Sequence, residues 1–142
     1  MDCTFCSKML RTDLFKTVDR ASTRFIAVRD TLTKPSANID ALVIDTIHCR
    51  QGRLGIGYHF LIITNGDIQL CRDVATVGSH SRDYDDRSVA IGIVGGTDEE
   101  GVRLNTRNPE QLEALQDLTE FLHQMYPDTE VHDRPAGNNC HP

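Results

Sequence analysis

The carboxyl-terminal stretch Val131–Pro142 gathers side chains suited to metal chemistry, with His132, Cys140 and His141 inside twelve residues. Imidazole and thiolate are common zinc ligands, and a catalytic zinc needs three protein ligands plus an open position for water. His132 and Cys140 would supply two. Their eight-residue separation is not itself a local zinc motif, so the pair also reads as a loop histidine and a buried thiol. At the other end, Cys3-x-x-Cys6 is half of a structural zinc site with no second pair spaced to complete it, and incidental thiols are the simpler reading. With Cys49 and Cys71 the cysteines make an odd set of five, without the dense spacing of a secreted disulfide framework, so reduced thiols are expected.

The elements that must position these residues follow from pattern. Arg24–Asp30 reads as a buried strand, and Lys34-Pro35 forces a loop after it. Residues 38–51 place Ile39, Leu42, Val43 and Ile47 on one helical face and meet Gly52, a helix terminator. Residues 57–64 are rich in aromatic and branched residues, and Asn65-Gly66 signals a hairpin into 67–71. The run Ser88–Val94 reads as an interior strand in which Gly92 lets another group approach its backbone. Asn108, Pro109 and Gln111 predict a capped helix start, continued by Leu112, Leu115, Leu118, Leu122 and Met125. Leu10, Leu14, Phe15 and Val18 suggest at most a short amphipathic helix near the amino terminus. Helices alternating with strands around a hairpin predict an α/β fold, a single domain with a central mixed β-sheet flanked by helices.

Composition narrows the function. A chain of 142 residues with 39% hydrophobic content supports one core. No apolar run is long enough to span a membrane, and the start lacks a signal-peptide core, so a cytoplasmic protein is expected. The formal charge of −6 divides unevenly: residues 1–36 carry seven Lys/Arg against four Asp/Glu, residues 37–142 eight against seventeen. An acidic body repels phosphate backbones and argues against general nucleic-acid binding, while the basic segment is either a solvated arm or a dock for an acidic partner.

Several motifs occur in an order that carries more. Asp30-x-x-x-Lys34-Pro35-Ser36, Gly57-Tyr58-His59-Phe60, Arg72-Asp73, Val77-Gly78-Ser79-His80, Val94-Gly95-Gly96 and His132…Cys140 together resemble the N-acetylmuramoyl-L-alanine amidases of T7-type phages, zinc amidases related to the peptidoglycan recognition proteins. The resemblance spans residues 24–142 and leaves 1–23 as a basic extension.

The resemblance implies the fold named above and a zinc held by His132, Cys140 and a histidine at the end of the first core strand. That third position falls on Arg29, whose guanidinium has no lone pair to donate. It also implies a catalytic role for Tyr58 and for a lysine whose place Asn138 takes, keeping a hydrogen-bond donor but losing the charge. His80 falls at a substrate-binding rim, whereas His59 is expected to hydrogen-bond inside the sheet. Strand alternation sends Arg29 into the cleft and Asp30 away from it. Asp133 and His141 are the nearest substitute ligands, and Arg29 opposite Cys140 and Asp133 would turn the metal site into an internal salt bridge. The expected function is therefore an amidase homologue that has lost ordinary zinc-dependent catalysis, with zinc absent or weakly bound, and that binds peptidoglycan or a protein partner. By the same resemblance, that partner is a phage RNA polymerase docked through the basic amino-terminal segment, in an infected bacterial host. The alternative is an active peptidoglycan amidase, an endolysin with a non-standard ligand.

Overall fold

The computed structural model describes residues 19–51, 57–78 and 85–137. The expected amino-terminal helix, Cys3, Cys6, Gly52, His80, Asn138, Cys140 and His141 lie outside the described residues. Five strands form one sheet: β1 (Phe25–Asp30), β2 (Phe60–Ile62), β3 (Ile68–Leu70), β4 (Ser88–Ile93) and β5 (Glu130–Arg134). Their order is β3-β2-β4-β1-β5, with β3 antiparallel to β2 and every other pairing parallel. All six residues of β4 are buried, as a parallel strand covered on both faces requires. This is the expected mixed sheet in one domain.

Among the described residues two helices cover the faces. Helix α1 (Ala41–Arg50) starts at Asp40, whose carboxylate accepts from the Val43 amide at 3.0 Å. Helix α2 (Pro109–Met125) opens with the expected capping box, Asn108 accepting from the Gln111 amide at 2.8 Å and Gln111 from the Asn108 amide at 3.2 Å. Behind α2, Ile26, Val28, Phe60, Ile62, Val89, Ile91 and Ile93 meet Ala114, Leu118 and Leu122. On the other face Tyr58, Leu61, Cys71, Ala90 and Val94 pack with Ala41 and Ile44 of α1.

The helices turn differently from the apolar pattern. α1 buries Ala41, Ile44, Asp45 and His48 while Leu42 is exposed. α2 buries Gln111, Ala114, Leu118 and Leu122, leaving Leu112 49% and Met125 43% exposed. In both, hydrogen-bonding polar residues take core positions that a count of apolar side chains assigns elsewhere. The hairpin is longer than Asn65-Gly66 alone: the Ile63 amide donates to Asp67 at 3.0 Å, and Gly66 adopts a left-handed φ of 93°. Strand β5 was missed by pattern because Val131 is its only aliphatic residue. No helix among the described residues is long and apolar enough to cross a membrane.

Candidate functional site

The α1-side face of the sheet carries Arg29, Tyr58 and His132. Residues paired in a parallel register point to the same face. Arg29 is in register with Gly92 on β4 and Arg134 on β5, and Ala27 with His132, so all these side chains share one face. The His132 ring lies 4.4 Å, centroid to centroid, from the Phe25 ring.

Tyr58 enters from the segment before β2 and packs on Gly92, where a Cβ would come within 2.7 Å of its ring. That is the close approach expected at Gly92. Arg29 therefore lies beside, and the Tyr58 ring over, a strand position without a side chain.

The Arg29 guanidinium faces this side, as expected, and is held by backbone: Nη1 donates to the Val28 carbonyl at 2.7 Å and the His132 carbonyl at 2.9 Å. His132 Nε2 donates to Glu130 Oε1 at 2.9 Å. Asp133 corrects an expectation. Its neighbour His132 points into the cleft, so strand alternation turns Asp133 to the opposite face, where both its oxygens accept from Arg107 at 2.8 and 2.9 Å. It can neither replace a ligand in the cleft nor neutralise Arg29. Asp30 also points away, as expected, and meets the same Arg107 at 3.0 Å. Burial works against the Arg107 charge, but the hydrogen bonds and charges of Asp133 and Asp30 outweigh it and raise its pKa.

His59 is fully buried, as expected: its Nδ1 accepts from the Ala90 amide at 3.0 Å and its Nε2 donates to the Thr76 carbonyl at 2.7 Å. Both ring nitrogens serve the fold. A second histidine escaped sequence reasoning. His48 on α1 accepts from the Gly57 amide through Nδ1 at 2.7 Å, which places its proton on Nε2, and its ring lies 5.5 Å from that of Tyr58. The spacing Ala41, Ile44, Asp45, His48 was the available signal, a helical stripe disguised by its polar members.

The described part of the donor set does not fit the zinc that the family resemblance implies. By the family resemblance the third ligand position falls on Arg29, whose guanidinium has no lone pair, and Asp133 lies on the opposite face. Among the described residues no three His, Cys, Asp or Glu side chains come together to hold a metal.

Comparison with known proteins agrees with this architecture. Residues 19–140 match the family described as N-acetylmuramoyl-L-alanine amidase. Endolysins of Enterobacteria phage T3 and Escherichia phage T7 are each 37% identical over 107 residues, covering 75% of this chain and 71% of theirs. An endolysin N-acetylmuramoyl-L-alanine amidase from Clostridium intestinale URNW superposes with a TM-score of 0.67 at 30% identity, over 79% of this chain and 69% of that one. A peptidoglycan recognition protein from Alvinella pompejana shares the fold, with a TM-score of 0.65 at 15% identity. The chain belongs to the N-acetylmuramoyl-L-alanine amidase family.

Proposed function

We propose that this chain is an amidase-family protein that has left zinc-dependent hydrolysis and uses the Arg29–Tyr58–His132 face to bind peptidoglycan fragments. The observation that supports the reading is the Arg29 guanidinium tied to the His132 carbonyl, at the position where the family resemblance calls for a ligand. Losing a ligand costs more than the roughly 10–100-fold attached to a residue behind one. By the family resemblance, Tyr58, His80 and Asn138 would contact sugar and peptide groups, Asn138 as a neutral hydrogen-bond donor. The basic extension 1–23 would add a protein contact, with a phage RNA polymerase as the candidate.

The test is sedimentation of the full chain with purified peptidoglycan, together with an assay for released peptides bearing L-alanine. Binding without release supports the proposal. Release that Cys140→Ser abolishes would instead identify a working amidase with an unconventional third ligand. That second reading draws on the shared face of Tyr58 and His132.

A further inference from the structure

Strand β5 brings His132 to the cleft, yet it contributes no residue to either apolar cluster, and four of its five residues are exposed. An edge strand with so little buried apolar surface is placed by its ladder and by polar ties. On the cleft face, the tie is Arg29 Nη1 to the His132 carbonyl. Behind the sheet, Arg107 supplies another.

Its guanidinium spans two carboxylates on adjacent strands. Nε and Nη2 donate to Asp30 at 3.0 and 3.4 Å, and Nη1 and Nη2 to Asp133 at 2.8 and 2.9 Å. The Arg107 and Asp30 side chains are only 4% and 3% exposed. Asp30 Oδ2 also accepts from the Ala136 amide at 2.7 Å, so the same cluster holds the chain just beyond β5.

Arg107 is itself fixed. It directly precedes the Asn108 cap of α2, its amide donates to Asn105 at 3.1 Å, and Thr106 accepts from the Gly96 amide at 2.8 Å. Each carboxylate lies one residue from a cleft position: Asp30 follows Arg29, and Asp133 follows His132.

We infer that Arg107 is a positioning residue for the cleft, setting from the far side of the sheet the placement of His132 relative to Arg29 and the departure of the chain toward Asn138. The inference rests on the reading of that face as the functional surface. A planar fork meeting two carboxylates is a geometric device, and the point charge of lysine does not reproduce it.

The test is NMR hydrogen exchange on the full chain as wild type, Arg107→Met, Arg107→Lys and Asp133→Asn, with the His132 ring signals followed for their shift by the Phe25 ring. In Arg107→Met, the β5 and Ala136 amides should exchange at least about tenfold faster, the scale of one lost charge-assisted hydrogen bond. The His132 signals should move while β2 and β4 amides keep their rates. Arg107→Lys should not restore the wild-type pattern. Asp133→Asn, which leaves the Asp30–Arg107 pair in place, should give a smaller change confined to β5 and His132, and it decides the matter if Arg107→Met does not fold. Unchanged His132 signals and β5 rates, an equal acceleration across the sheet, or full rescue by lysine would overturn the inference. None of these readouts uses peptidoglycan, so a chain that binds none would sink the proposed function and leave the positioning result to stand or fall separately.

Discussion

Arg29 and His132 meet through the backbone of one and the side chain of the other: the Arg29 guanidinium donates to the His132 carbonyl at 2.9 Å, while the His132 imidazole turns to Glu130. The Arg29 side chain thus ties β1 directly to β5 by a hydrogen bond.

Replacing that tie should expose the ligand deficit. Arg29→His is expected to raise zinc content toward one per chain in metal-replete, reduced protein, whereas Arg29→Ala is not, since only the former adds an imidazole at the missing corner. Elemental analysis of the purified proteins checks this. One zinc per chain in the wild type, lost on mutation of His132 or Cys140, would contradict the reading of Arg29.

Restoring the ligand alone should return only a trace of amide cleavage. By the family resemblance Asn138 takes the place of a lysine and would lack its charge, and one oxyanion donor is worth about 10²–10³ in rate. Arg29→His with Asn138→Lys should therefore far exceed either single variant, because a transition-state donor contributes nothing without an activated water. Peptide release from purified peptidoglycan by all four proteins measures the coupling, and simple additivity would refute it.

Gly92→Ala should cost about 1–3 kcal/mol, the usual penalty for overpacking, because the new Cβ would lie 2.7 Å from the Tyr58 ring. Urea denaturation gives the stability, and altered Tyr58 ring signals would show that the ring has moved. A neutral substitution would mean that Tyr58 does not pack on this strand.

The phase of α2 can be checked by two leucines. Leu122→Ala should lose about 2–5 kcal/mol as a fully buried side chain, while Leu112→Ala on the exposed side should stay within about 0.5 kcal/mol. Equal losses would restore the phase suggested by the apolar pattern.

These helices mark where the sequence is legible and where it is not. The start of α2 is readable because capping is local: Asn108, Pro109 and Gln111 declare it within four residues. Strand β4 is readable because burial on both faces demands an unbroken apolar run. The buried faces are harder, because Gln111 belongs to the core through its amide bond to the Val94 carbonyl at 2.9 Å, a partner that periodicity does not display. Strand β5 is hidden for the same reason, its position depending on Arg107 and Arg29 rather than on apolar residues. That Arg29, Tyr58 and His132 share one face follows from the register of the strands and the packing on Gly92. His48 and the turning away of Asp133 needed coordinates, since each depends on which face a neighbouring element presents.

The strand order β3-β2-β4-β1-β5 also bears on how the chain reaches this state. Among the described strands only β2 and β3 pair as neighbours in sequence, whereas β1 must wait for β4 and then for β5 from the opposite end of the described chain. Long-range pairings demand loop closure before contacts repay it, so the β2–β3 hairpin should gain protection early and the β1–β5 seam late. Pulse-labelling during refolding would reveal that sequence of events, and simultaneous protection of both seams would rule it out. On that order the Arg29–His132 face would be assembled last, when the first and last described strands pair.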